Sequence, residues 1–209
     1  MALGVALLAG CSSGSSSATA PGAAVGGSAD TGAASPGTST SASGFDGAAL
    51  PGGVQIPGFT LSDQHGSRVS LSAYRGQVVL VAFPYTTCGG SCTVIAEQIR
   101  GALDELGKPV PVLMISADPQ ADTRARVGGF LTKTGLSGRV RYLSGPPARL
   151  KAVWRAFHVV PASAGSSAFD RSASVFLLDG KGRERVIFQL EQLTPEGLAH
   201  DVRRLLGGG

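Results

Sequence analysis

The chain has 209 residues, a formal net charge of +4, 43% hydrophobic residues and three cysteines. Residues 1–49 carry only Asp30 and Asp46, so the rest holds 18 basic against 12 acidic residues. That excess is mostly Arg, scattered without a dense basic block or interleaved aromatics, which argues against a nucleic-acid partner. Three cysteines are too few for a disulfide framework in a chain of this size.

Met1 to Gly10 is apolar and ends Leu8-Ala9-Gly10-Cys11. It resembles a bacterial lipobox, whose cysteine is acylated and becomes the first residue of the mature lipoprotein. The run is too short to span a bilayer. It also lacks the positive residues that precede an export signal, as expected if the true start lies upstream. Residues 12–49 are almost entirely Ser, Ala, Gly, Thr and Pro, with Phe45 the one aromatic. Such a stretch cannot bury enough apolar surface to offset its ordering entropy. It is expected to be a disordered tether with an average reach of about 35 Å. The expected organisation is therefore 1–11 signal and lipidation at Cys11, 12–49 tether, and 50–209 folded domain. The domain would work at the outer face of a bacterial cytoplasmic membrane, held there by lipid.

Within the domain, Phe59 to Leu61 and Arg68 to Ser70 flank Asp63-Gln64-His65-Gly66 and read as a small hairpin. Val78 to Phe83 is a continuous apolar run, typical of a strand buried on both faces. After it come Cys88 and Cys92, then Val94, Ile95, Ile99, Leu103 and Leu106 at helical spacing up to Gly107. Val110 to Ile115 is a second buried strand. Asp118 to Thr123 opens a helix, with Asp122 as the expected N-cap. Arg139 to Leu143 reads as a strand, and Pro147 to Phe157 as a helix with Trp154 and Phe157 on its core side. Ser174 to Leu178 and Arg185 to Leu190 form strands joined across Asp179-Gly180-Lys181-Gly182. Thr194 caps a last helix that has Pro195 at its first position. The order β-β-β-α-β-α-β-α-β-β-α predicts an α/β, thioredoxin-like fold with an N-terminal hairpin.

Cys88 and Cys92 stand at the expected start of a helix, directly after a buried strand. At that spacing the two sulfurs can form a disulfide or clasp one soft metal ion. With Cys11 assigned to lipid they are the remaining pair, which is more consistent with redox or metal chemistry than with structural stapling.

Four segments carry a resemblance to the Sco/SenC family, extracytoplasmic thioredoxin-like proteins associated with cytochrome c oxidase assembly. Phe83-x-Tyr85-Thr86-x-Cys88-x-x-x-Cys92 is similar to the family's cysteine loop, and Ile115-Ser116-Ala117-Asp118-Pro119-x-x-Asp122-Thr123 to its Asp-Pro segment. Leu143-Ser144-Gly145 resembles the next element, and Ser172 to Asp179 the strand after its metal-binding histidine. The resemblance covers most of residues 56–205. It implies that Cys88 and Cys92 are Cu(I) ligands and a redox couple. The implied partner is the oxidase subunit that carries the CuA centre, or its assembly factors. Two departures stand out. Gly89 and Thr93 occupy positions where the family has proline, and Arg171 occupies the position of its histidine ligand. A guanidinium has no lone pair to offer, so the full three-ligand copper site does not carry over.

Two sulfurs alone still suit Cu(I), which is soft and tolerates near-linear coordination. His65, His158 and His200 are expected to be surface or packing residues, with His158 the one to check against the cysteines. Arg171, if it keeps the histidine's place, would favour a thiolate nearby. The rival readings are a thiol–disulfide reductase without physiological copper, a peroxiredoxin-like thiol peroxidase, and a static disulfide. A peroxiredoxin has Thr three residues before its reactive Cys, where this chain has Tyr85. An ordinary thioredoxin has CxxC facing a cis-proline, whose place falls near Ala173. Asp118 and Asp122 are expected to serve the helix start rather than a second metal shell.

Overall fold

In a computed structural model that describes residues 43–208, the elements run as follows. They are β1 (Ala48–Gln55), β2 (Thr60–Ser62), β3 (Arg68–Ser70), β4 (Val79–Ala82), α1 (Gly90–Leu106), β5 (Val112–Ile115), α2 (Arg124–Lys133), β6 (Arg141–Leu143), α3 (Pro147–Ala156), α4 (Ser166–Ser172), β7 (Ser174–Leu178), β8 (Arg183–Gln189) and α5 (Pro195–Leu206). The segment expected to be a lipobox with Cys11, and the expected tether as far as residue 42, lie outside the described residues.

The central sheet has the order β1-β8-β7-β4-β5-β6. Strands β4, β5 and β6 are parallel, while β7, β8 and β1 continue the sheet antiparallel. All four residues of β4 and all four of β5 are buried, as expected of strands covered on both faces. The alternation of side chains sorts them into two layers. Leu80, Ala82, Val112 and Met114 pack with α1, α2 and α5, whereas Val79, Val81, Leu113 and Ile115 pack with α3 and the β2–β3 hairpin. The thioredoxin-like architecture expected from the element order is therefore present, with the hairpin as a separate two-stranded sheet.

Helix α1 buries Cys92, Ile95, Ala96, Ile99, Ala102 and Leu103, a stripe at intervals of three and four residues. Val94, counted above among its apolar periodic positions, is 39% exposed and lies off that stripe. The helix stops at Gly107, whose φ of 62° suits a residue without a Cβ. Gly101 lets α1 approach α5 closely, because a Cβ there would lie 2.9 Å from the Pro195 ring.

The structure corrects several sequence expectations. Residues 43–49, assigned above to the tether, belong to the fold. Phe45 is buried in the core and receives the Arg204 guanidinium over its ring at 5.0 Å. The carboxylate of buried Asp201 accepts the amides of Asp46 and Gly47 at 2.9 and 3.0 Å. Burial pushes the Asp201 carboxyl upward, against the pull of those two amides. Strand β1 then pairs with β8, across an irregularity between Ala49 and Val54. The folded unit therefore starts before residue 50. Asp122 is not the cap of α2: Thr123 is, its hydroxyl accepting the Arg126 amide. Helix α4, unforeseen in the sequence, lies between α3 and β7. The Thr194 cap and Pro195 at the first turn of α5 are as expected.

Candidate functional site

Cys88 and Cys92 are joined as a disulfide, with Cα atoms 5.9 Å apart. Strand β4 delivers the chain to the site, and Phe83, Pro84 and Tyr85 turn it over the end of the sheet while remaining buried. Gly89 is the N-cap of α1, so Cys92 falls in the first turn and Cys88 just before it. Cys92 is 1% exposed, whereas Cys88 is only partly buried. A Cβ on Gly89 or Gly90 would meet nothing within 4 Å, so the mouth beside Cys88 is open. The Cys92 amide donates to the Cys88 sulfur at 3.3 Å. That contact and the helix start both favour negative charge on this sulfur. The pair thus has an accessible sulfur and a protected one, the arrangement thiol–disulfide exchange uses.

The loop is held from below by Asp122. One carboxylate oxygen accepts the Thr86 amide at 2.6 Å, and the other accepts the hydroxyls of Ser116 and Tyr142. The Ala117 amide reaches Pro84 O at 3.0 Å, and Tyr142 Oη also reaches it at 3.1 Å. Burial first, then the neighbouring Asp122 and Asp118 carboxylates, holds the Tyr142 phenol well above its usual range. Asp118 accepts the amides of Gln120 and Ala121 and shapes the turn into α2. The structural role expected of both aspartates therefore holds, with Asp122 bracing the loop instead of capping.

Helix α4 closes the other side. The Phe169 ring meets the Tyr85 ring edge-on at 4.9 Å. Asp170 accepts a hydrogen bond from Ser91 Oγ at 2.7 Å, and that hydroxyl lies 3.3 Å from the Cys88 sulfur. The Tyr85 phenol is pushed up by burial and by the charges of Asp170 and Asp118. Arg171 is exposed and makes no hydrogen bond or ion pair among the described residues. The α4 side chain bonded to the cysteine loop is thus an acid, Asp170, which sequence reasoning missed. Its only signal was adjacency to Arg171.

Among the described residues no histidine is hydrogen-bonded to either sulfur. His65 is exposed in the β2–β3 turn. His158 is exposed at the end of α3 with φ 55°, between Phe157 and Val159, which are buried on the opposite side of the sheet from Cys92. His200 lies on α5, with its ring near Gly44 O and Asp46. Once reduced, the pair would offer two sulfur donors, which suit a soft monovalent ion.

The model of the SCO1/SenC family matches residues 51–207. Copper-bound ScoI of Bradyrhizobium japonicum is 32% identical, with 73% of this chain and all of that one covered and a TM-score of 0.57. The sco1 protein of Schizosaccharomyces pombe is 24% identical over 155 residues, which is 69% of this chain and 58% of that protein. Peroxiredoxin Bcp of Escherichia coli is 46% identical over 63 residues, 30% of this chain and 40% of that one. The chain thus spans less than two thirds of these last two relatives.

Proposed function

The chain belongs to the SCO1/SenC family, and on that premise we propose that it is a membrane-tethered extracytoplasmic Cu(I) chaperone and thiol–disulfide protein serving the CuA centre of a terminal oxidase. The observation that carries this reading is the Cys88–Cys92 pair at the first turn of α1, one sulfur accessible and one protected. Copper is cargo here. The reduced pair would hold Cu(I) through two thiolates, with no nitrogen ligand and hence a poor site for Cu(II). Tethering rests on the lipobox ending at Cys11; no described helix is long and apolar enough to cross a membrane. The partner would be the oxidase subunit that carries CuA, or one of its assembly factors.

The same pair supports a copper-free thiol–disulfide reductase. In that reaction the Cys88 thiolate of the reduced pair would attack a disulfide on a partner protein, releasing one partner thiol. Cys92 would then attack Cys88 sulfur, forming the Cys88–Cys92 disulfide and freeing the second partner thiol. The local likeness to peroxiredoxin Bcp favours a peroxidase as a further reading. Against it, Tyr85 stands three residues before Cys88 and packs on Phe169. Peroxide consumption by the reduced protein decides that point.

The test is anaerobic Cu(I) titration of the reduced protein against a competing chelator. One equivalent is expected to bind, and Cys88→Ser or Cys92→Ser is expected to abolish stoichiometric uptake. Retained uptake in either variant would contradict the chaperone. Reduction of an oxidised CuA-domain dithiol without copper would instead support the reductase.

A further inference from the structure

The contact between α4 and the cysteine loop has a direction. Ser91 has one hydroxyl proton, and it goes to the Asp170 carboxylate at 2.7 Å. Charge-assisted bonds of this kind are stronger than neutral ones, so the proton stays on that side. What Ser91 then presents to the Cys88 sulfur, 3.3 Å away, is an oxygen lone pair. A disulfide sulfur has no hydrogen to give to that lone pair; a thiol has one.

From this geometry we infer that Asp170 is a positioning residue which, through Ser91, favours the reduced dithiol over the disulfide. Reduction breaks the Cys88–Cys92 bond and adds two electrons and two protons. With glutathione as reductant, two glutathione thiols supply them and leave as glutathione disulfide. In the protonated dithiol the new Cys88 S–H donates to Ser91 Oγ, and a chain Cys88–Ser91–Asp170 forms that the oxidised protein cannot make. A Cys88 thiolate has no proton for it, so the equilibrium is read well below the ordinary thiol pKa of about 8.5. The contact of the Cys92 amide with the same sulfur is already present in the disulfide. The inference rests on the reading that this pair cycles; copper has no part in it.

The experiment is equilibration of the full chain with glutathione redox buffers, reading the dithiol fraction by mass after alkylation. Ser91→Ala and Asp170→Asn should each shift the equilibrium toward the disulfide by about fivefold, the worth of one ordinary hydrogen bond. The double variant should shift it no further than either single one, because the two residues act as one unit. A mere clamp between α4 and α1 would lower the thermal stability of oxidised and reduced protein alike and leave the redox equilibrium unmoved. Unchanged constants in both variants, or a shift toward the dithiol, would overturn the inference while leaving the cycling reading intact. A wild-type pair that neither glutathione nor dithiothreitol reduces would overturn both.

Discussion

Asp122→Ala is expected to lower stability by about 3–4 kcal/mol, as charge-assisted hydrogen bonds are lost from a buried cluster. The Asp122 carboxylate is the acceptor for the Thr86 amide and for the hydroxyls of Ser116 and Tyr142. Ser116 is fully buried and Tyr142 nearly so, so water does not replace the lost acceptor. Tyr142 keeps Pro84 O, which is why the sum of three separate bonds is not expected. The loss falls on the chain segment just before Cys88, so alkylation of the reduced pair should become less selective for one sulfur. Asp122→Asn, which keeps one oxygen acceptor, should cost roughly half as much. Urea unfolding of the oxidised protein checks these figures. A change below about 1 kcal/mol for Asp122→Ala, within the range of ordinary surface substitutions, would show that the loop is braced elsewhere.

The second large effect depends on pH. Glu184 lies on β8 with 6% of its surface exposed, and burial lifts its carboxyl from 4.5 to about 7. Below about pH 4.5 the group is protonated in both folded and unfolded chains, and no penalty arises. Between about 4.5 and 7 the unfolded chain loses this proton while the folded one keeps it, so stability falls as pH rises. Above that window the penalty levels off at about 3 kcal/mol, from a rise of 4.5 to about 7 at about 1.36 kcal/mol per pKa unit. Glu184→Gln should therefore raise the midpoint of thermal unfolding at pH 8 and change it little at pH 4. Parallel pH profiles for the two proteins would remove the buried carboxyl from the account.

The sheet core was legible because β4 and β5 announce themselves as unbroken apolar runs, and the register of α1 because its buried stripe recurs at helical spacing. The cysteine pair was legible for a related reason: a buried strand leads into it and a helix leaves it. Strand β1 was not, since Pro51-Gly52-Gly53 has neither alternation nor apolar content. Its pairing is made by backbone against β8, and Gly52 and Gly53 take φ values of 77° and 71° in the irregular stretch. Helix α4 is seven residues long, too short to show a periodic pattern. Its contribution to the site therefore stayed hidden. Arg171 drew the eye through the family resemblance, but the sequence had no means of showing that Asp170, one residue earlier, is the side chain bonded to the loop. Asp122 was read correctly as structural and wrongly as a helix cap, because its three partners are brought together by separate strands and loops.

Two features of the site now bear on how it would handle a metal ion. The carboxylates of Asp118 and Asp170 both act on Tyr85, which makes the rim of the cysteine loop acidic. Ser91 links the partly buried Cys88 sulfur to the Asp170 carboxylate, and Cβ atoms on Gly89 and Gly90 would meet nothing within 4 Å. On the proposed reading, Cu(I) entering there would meet favourable charge first and the thiolates of the reduced pair second. Hard oxygen donors alone would hold it poorly, so release to a partner's thiolates is not opposed by a strong third bond.

X-ray absorption spectroscopy of the reduced protein loaded with one equivalent of Cu(I) tests the central claim most directly. The account predicts a first shell of two sulfur atoms without the multiple scattering of an imidazole. A shell containing a histidine nitrogen, or copper that stays bound after Cys88→Ser, would contradict it.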